Sequence, residues 1–294
     1  MKKIIAIILL LGAQLAFGME PSLDAQLIDA VRNPNKTVQQ ITDLARRGAN
    51  VNIISRGDLP ILMEAIGSGA VDKVKALLAA GARLGPIEGF QFGTPLLGAL
   101  LMEPVNTDIV RALVAAGADL EAVVPGSGVT PLMFAAMSGN VDAVTVLLEA
   151  GANKDAVEPN TGMTPLMGAV RIGALPAVRK LLVFIPPAER KKIREHILGL
   201  LSALKRTPIQ PKSRDIRQLI GSQAFDDIVN EQMRRILVLL AQTNNNGQTA
   251  QVIARGHTAI VNFLNPNNPE LRQAVVEEIK ELIKETQMPP VAKK

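Results

Sequence analysis

"GVTPLMFAAMSGNVDAVTVLLEAGANKDA" (Gly128–Ala156) carries three punctuation marks: Thr-Pro at its head, Gly-Asn in the middle and Gly-Ala-Asn near its close. In "TPLMFAAMSG", Thr130 is placed to cap a helix. Pro131 takes the first helical position, where a missing N–H costs nothing because that amide has no intrahelical partner. Leu132, Ala135 and Ala136 stand at i, i+3 and i+4 and share one apolar face. Gly139 ends this short helix. "VDAVTVLLEAG" begins another, with Val144, Leu147 and Leu148 on the buried side and Gly151 as its C-cap. The stretch specifies a helical hairpin followed by an extended turn. So small a unit cannot bury its apolar face without a neighbour.

Neighbours are written into the chain at one period. Pro60, Pro95, Pro131 and Pro165 are separated by 35, 36 and 34 residues, and Gly48, Gly81, Gly117 and Gly151 by 33, 36 and 34. Two independent marks keeping one period define a repeat array. The heads "LPILMEA" (Leu59–Ala65), "TPLLGAL" (Thr94–Leu100), "TPLMFAA" (Thr130–Ala136) and "TPLMGAV" (Thr164–Val170), with the turns "GANVN", "GARLG", "GADLE" and "GANKD", resemble the ankyrin repeat. That family's signature is Thr-Pro-Leu-His-x-Ala at a period of ~33. The resemblance runs from Ser22 to Ile185, with "LIDAVRN…ITDLARRGANVN" as a degenerate first unit. It implies an all-α fold: an ankyrin-repeat solenoid of stacked helix-turn-helix repeats with inter-repeat turns, plus a helical C-terminal region. In the family's His position this chain places Leu62, Leu97, Met133 and Met167, so packing replaces a polar link between neighbours. "LLMEPVNTD" lengthens the third unit's inter-helix loop and predicts that it protrudes.

The periodicity is lost at Ile185-Pro186-Pro187, a stop for helix. Beyond it, Ile193, Ile197, Leu200, Leu201 and Leu204 mark an amphipathic helix, and a second helical stretch runs from about Arg214 to Ala241. "NNNGQTAQVIARGHTAIVNFL" (Asn244–Leu264) returns to the repeat pattern, and Leu271, Val275, Ile279 and Leu282 define a last amphipathic helix. The predicted organisation is a leader over 1–18 and repeats over 19–185, in units 22–54, 57–90, 93–127, 128–160 and 162–185. A helical degenerate repeat or insertion follows over 186–243, then an ankyrin-like repeat over 244–265 and a capping helix with a basic tail over 266–294.

Composition agrees with closely stacked small helices. Of 294 residues, 48% are hydrophobic but only 2% aromatic, with no Trp or Tyr, so Leu, Val, Ile, Ala and Met must build the core. Lys2 and Lys3, the apolar run Ile4–Leu11 and Ala16-Phe17-Gly18 read as a signal peptide cut after Gly18. The apolar stretch is roughly 15 residues, shorter than the ~20 that span a bilayer. The expected localisation is therefore secreted or periplasmic, with anchoring through an uncut N-terminal segment as the alternative. Without Cys there are no disulfides or thiolate metal sites, so packing alone supports the fold. Asn35-Lys36-Thr37 is formally a glycosylation sequon, but Thr37 with Gln40 also forms a helix-capping box.

Chemistry is sparse. His196 and His257 are the only histidines, and no His-Glu-x-x-His, Gly-x-Ser-x-Gly or phosphate-loop motif occurs. "IGSGA" (Ile66–Ala70) and "PGSGV" (Pro125–Val129) fall in turns of the repeat rather than between strand and helix. No catalytic, metal or cofactor site is expected, and the chain is not expected to be an enzyme. Ala188–Arg217 holds nine basic residues against three acidic. Arg190, Lys191, Lys192, Arg194, Lys205 and Arg206 are therefore the alternative site, for nucleic acid or an anionic membrane surface. The absence of interleaved stacking aromatics favours a solvated face there.

The resemblance implies a protein partner bound at turn tips and on the outward side of first helices. The tip candidates are Glu88, Phe90, Gln91, Phe92, Val124, Pro125, Ser127, Lys154, Glu158 and Asn160. The helix candidates are Met63, Phe134, Met137 and Arg171. Phe90 and Phe92 rank first because aromatic residues are rare here and dominate hot spots.

Overall fold

The computed structural model describes residues 21–55, 59–187, 189–193, 195, 223–242, 245–250, 254, 262–265 and 267–285. The predicted leader, His196, His257, Arg194, Lys205 and Arg206 lie outside them. The chain divides into two compact units, one ending at Phe90 and the other beginning at Gln91.

The first unit contains α1 (Leu23–Arg32), α2 (Val38–Arg46), α3 (Ile61–Gly67) and α4 (Val71–Ala79). Ser22 Oγ accepts from Ala25 N at 3.1 Å, and Gln40 Oε1 accepts from Thr37 N at 3.1 Å, so the sequon threonine opens a helix. α1 packs on α2 and α3, and α4 packs on α2 and α3. Lys73, 8% exposed, sits where α4 faces its neighbours. Its Nζ donates to Ala30 O at 2.9 Å, Val31 O at 3.0 Å and Asn33 O at 2.6 Å. Three donors thus meet carbonyls at the end of α1, the negative pole of that helix.

The second unit contains α5 (Pro95–Leu100), α6 (Thr107–Ala115), α7 (Pro131–Met137), α8 (Val141–Glu149), α9 (Pro165–Arg171), α10 (Leu175–Val183), α11 (Gln223–Ala241) and α12 (Pro269–Glu285). First helices pack on first helices, α7 between α5 and α9, and second on second, α8 between α6 and α10. The Thr-Pro heads act as the sequence implies. Thr94, Thr130 and Thr164 accept through Oγ1 from Leu97 N at 3.4 Å, Met133 N at 3.3 Å and Met167 N at 3.3 Å. Leu132, Ala135, Ala136, Val144, Leu147 and Leu148 are all buried. Each such Leu or Val removed from water contributes about 1.5–3 kcal/mol, against the entropy of ordering the chain.

The four Gly-Ala marks close their helices in one geometry. Gly48, Gly81, Gly117 and Gly151 have φ of 98°, 90°, 89° and 98°. The following Ala49, Ala82, Ala118 and Ala152 amides donate at 3.0 Å to Leu44, Leu77, Leu113 and Leu147 O. That six-to-one bond around a left-handed residue satisfies a carbonyl the helix leaves open. At the end of α10 the closure is absent; Phe184 and Ile185 are buried instead. In the third repeat, residues 101–106 separate α5 from α6, whereas only 138–140 separate α7 from α8. Glu103 and Pro104 of that longer loop are exposed.

The structure corrects the register of one head. α3 begins at Ile61 with Pro60 as its N-cap, so Pro60 takes the place of Thr130 and Ile61 that of Pro131. The His-equivalent position is therefore Met63 rather than Leu62. Met63, expected to face outward, is 5% exposed, buried like Leu97, Met133 and Met167 in the same place.

After the repeats, α11 and α12 pack against each other and against α10, with Leu271, Val275, Ile279 and Leu282 buried. Phe263 is buried beneath the Arg179 guanidinium, 4.4 Å from the ring centre, and Arg179 also pairs with Glu270 at 3.1 Å. The chain meets the repeat tips again at Asn245. Its N donates to Thr161 O at 2.9 Å, and its Nδ2 to Asn160 O at 3.0 Å and Pro159 O at 3.3 Å.

Candidate partner-binding groove

Two successive tips of the second unit share one backbone design. Val124 N donates to Val129 O at 3.0 Å and Gly128 N to Val124 O at 3.1 Å; Glu158 N donates to Met163 O at 2.9 Å and Gly162 N to Glu158 O at 2.8 Å. Gly128 has φ +70°, and a Cβ there would lie 2.5 Å from Pro159 Cδ. The two tips therefore lock together only because residue 128 has no side chain. Asn160 Nδ2 adds a bond to Ser127 O at 3.3 Å.

Below these tips, α7 and α9 leave a groove of about 260 Å³. Its apolar lining is Val129, Met133, Met137 and Met163; Ser127, Asn160, Thr161 and Thr164 supply polar atoms, and Arg171 is exposed along it. Gly168 shapes the floor, because a Cβ there would come within 2.8 Å of Met137 Cγ. Glu158 also lines the groove but is only 6% exposed. Its carboxylate accepts from Asn160 N at 2.8 Å, Thr161 N at 2.7 Å and the Thr161 hydroxyl. The Thr161 hydrogen bond, aided by those amides, holds its pKa below the usual carboxylate value despite burial. A larger concavity of about 510 Å³ in the first unit is lined by the charged Asp29, Lys36, Asp43 and Arg47. Pro21, Ala25, Ala30 and Leu44 also border it, but charged and amide groups dominate its lining, so the second-unit groove is the more apolar recognition site.

The groove gathers Ser127, Met137, Glu158, Asn160 and Arg171 from the sequence candidates. Glu158 needs correction: it is a buried brace of its own tip, not a projecting contact. Lys154 lies outside the groove. It is half-buried, and burial lowers its pKa most, with Asp155 and Glu189 opposing that effect and Arg235 adding to it. Val124 is half-buried and Pro125 exposed, with Pro125 Cδ 3.2 Å from where a Cβ of Gly93 would stand. Phe134 is half-buried on α7 but does not line the groove. Gln91 is exposed and Phe92 half-buried at the start of the second unit; Glu88 is exposed and Phe90 half-buried at the end of the first.

Sequence reasoning missed Val129, Met163, Thr161 and Thr164, and treated Met133 as packing alone. Val129 and Met163 occupy one repeat position, just before the capping Thr, and that periodicity was the available signal.

The alternative basic site also changes. Arg190 pairs with Glu278, donates through Nε to Ile185 O at 3.0 Å and lies 5.6 Å from the Phe184 ring centre. Its guanidinium is thereby engaged in the packing of α12. Lys191 and Lys192 are exposed.

Residues 96–189 match a family model described as Ankyrin repeats (3 copies). That segment has the ankyrin-repeat fold. The three matched copies fall in the second unit, and the groove lies among them. A search of curated proteins finds no match. Ankyrin repeats are typically interaction domains rather than enzymes. Among the described residues, no group of three or more His, Cys, Asp or Glu can hold a metal, and no helix is long and apolar enough to cross a membrane.

Proposed function

We propose that this ankyrin-repeat protein is a non-enzymatic scaffold for protein–protein interaction, exported through a leader cut after Gly18, which seats its partner in the groove between α7 and α9. One observation carries the reading. The groove unites tip residues Ser127 and Asn160 with first-helix residues Met137 and Arg171, the two surfaces from which contacts were expected. An apolar floor with a few convergent polar groups is the usual chemistry of a recognition pocket. Flexible methionines suit an adaptable one.

The test places a photo-crosslinker at Met137 in the native host and identifies adducts by mass spectrometry. A specific protein should crosslink at Met137, and Arg171→Glu should abolish its capture while Lys75→Glu leaves it intact. Equal capture by both variants sinks the proposal. Sequencing the exported chain tests the leader: its first residue should be Met19.

A further inference from the structure

The groove carries a chemistry that partner binding does not require. Met133, Met137 and Met163, three of ten methionines in the chain, all line it. Thioether sulfur is a soft, neutral donor that prefers Cu(I) to hard or borderline ions. The chain has no Cys, the other soft protein ligand. The Met137 thioether lies over Gly168, with Sδ 3.8 Å and Cγ 2.8 Å from where a Cβ would stand. Any side chain at residue 168 would drive it away.

We propose that Met133, Met137 and Met163 form a thioether site for one soft monovalent metal ion, Cu(I). The space of about 260 Å³ that they border admits the ion without displacing backbone. Three rotatable bonds per methionine let the sulfurs converge on it. Neutral sulfurs leave the ion's charge uncompensated, and a buried charge needs a counter-charge. Glu158 places a carboxylate in the same lining, fixed by Asn160 and Thr161. Arg171, the opposing charge, is exposed and screened by water.

The experiment titrates the mature full chain anaerobically with Cu(I) against a chromophoric chelator, using Ag(I) as a redox-inert probe and Mg²⁺ and Zn²⁺ as controls. One equivalent of Cu(I) should bind with a sulfur shell by X-ray absorption, and Mg²⁺ and Zn²⁺ should not compete. Met137→Leu and Met163→Leu should each weaken binding, and the double variant should lose it. Leucine preserves volume, and unchanged thermal melting confirms that each variant folds. Met102→Leu and Met233→Leu should bind as the parent does. Absence of stoichiometric binding, an oxygen or nitrogen shell, or full retention in the double variant overturns the proposal. The titration needs no protein partner, so its failure leaves partner capture standing.

Discussion

The tips at 124–129 and 158–163 fold the same backbone around different side chains. In the first, Val124 supplies only its main chain, and Ser127 Oγ donates weakly to Val124 O at 3.3 Å. In the second, Glu158 occupies the place of Val124 and turns its carboxylate back onto two amides and a hydroxyl. One position thus serves as a plain backbone corner or as a buried anionic brace. The periodic pattern fixes the path of the chain; the local side chain decides how stiffly a tip is held.

The comparison breaks most severely at Gly128. Gly128→Ala should cost about 2–4 kcal/mol, from left-handed strain plus the clash with Pro159. Gly126→Ala is its control: φ is also positive, +79°, but nothing stands within 4 Å of the new Cβ. It should cost about 1 kcal/mol or slightly more, from strain alone. Chemical denaturation of both variants separates the terms, and equal losses would show that tip locking is unimportant.

Next comes the brace. Glu158→Ala leaves two amides without their acceptor and should destabilise by about 1–3 kcal/mol, whereas Val124→Ala in the sister tip should cost less. The same carboxylate sets a pH dependence. Its folded pKa lies below its unfolded one, so its stabilisation is complete above the ordinary Glu pKa of about 4.3 and is lost as pH falls through the folded value. Melting curves of the parent and Glu158→Gln should differ at pH 7 and converge under strong acid; a constant gap would assign the effect to shape rather than charge.

The smallest effect is expected where a carboxylate is similarly engaged but its partner is exposed. Arg32 donates to both Glu64 oxygens at 2.7 Å, and this hydrogen bond is the main cause of Glu64's lowered pKa. A double-mutant cycle at Arg32 and Glu64 should give a coupling below that of Glu158 with Thr161 and shrink it further in high salt. A larger, salt-insensitive coupling would reverse the ranking.

Much of the fold was legible because its punctuation is covalent in origin. Gly at the helix ends, Thr-Pro at the starts and their common spacing each reflect a backbone requirement that few other residues meet. The register at Pro60 was misread because a proline can stand as the N-cap or one place later, and only the helix shows which. The site was less legible. Glu158 looks like a solvated tip charge until the amides that turn toward it are known, and Lys73 resembles any surface lysine until the end of α1 is placed beside it. Met133 and Met163 are ordinary apolar repeat positions in one dimension; the groove exists only because two repeats stack.

The bonds from Asn245 to the tip at 159–161 also set an order of assembly. Asn160 reaches Ser127 across 33 residues, but Asn245 reaches Asn160 across 85. Closing the longer loop costs about 0.8 kcal/mol more chain entropy, and contacts distant along the chain form slowly. During synthesis the earlier tips can zip while the distal segment is still being made. The Asn245 latch should therefore close after the tips, and when the protein is pulled from its C-terminus it should open once α12 has left α10 and before the tips separate.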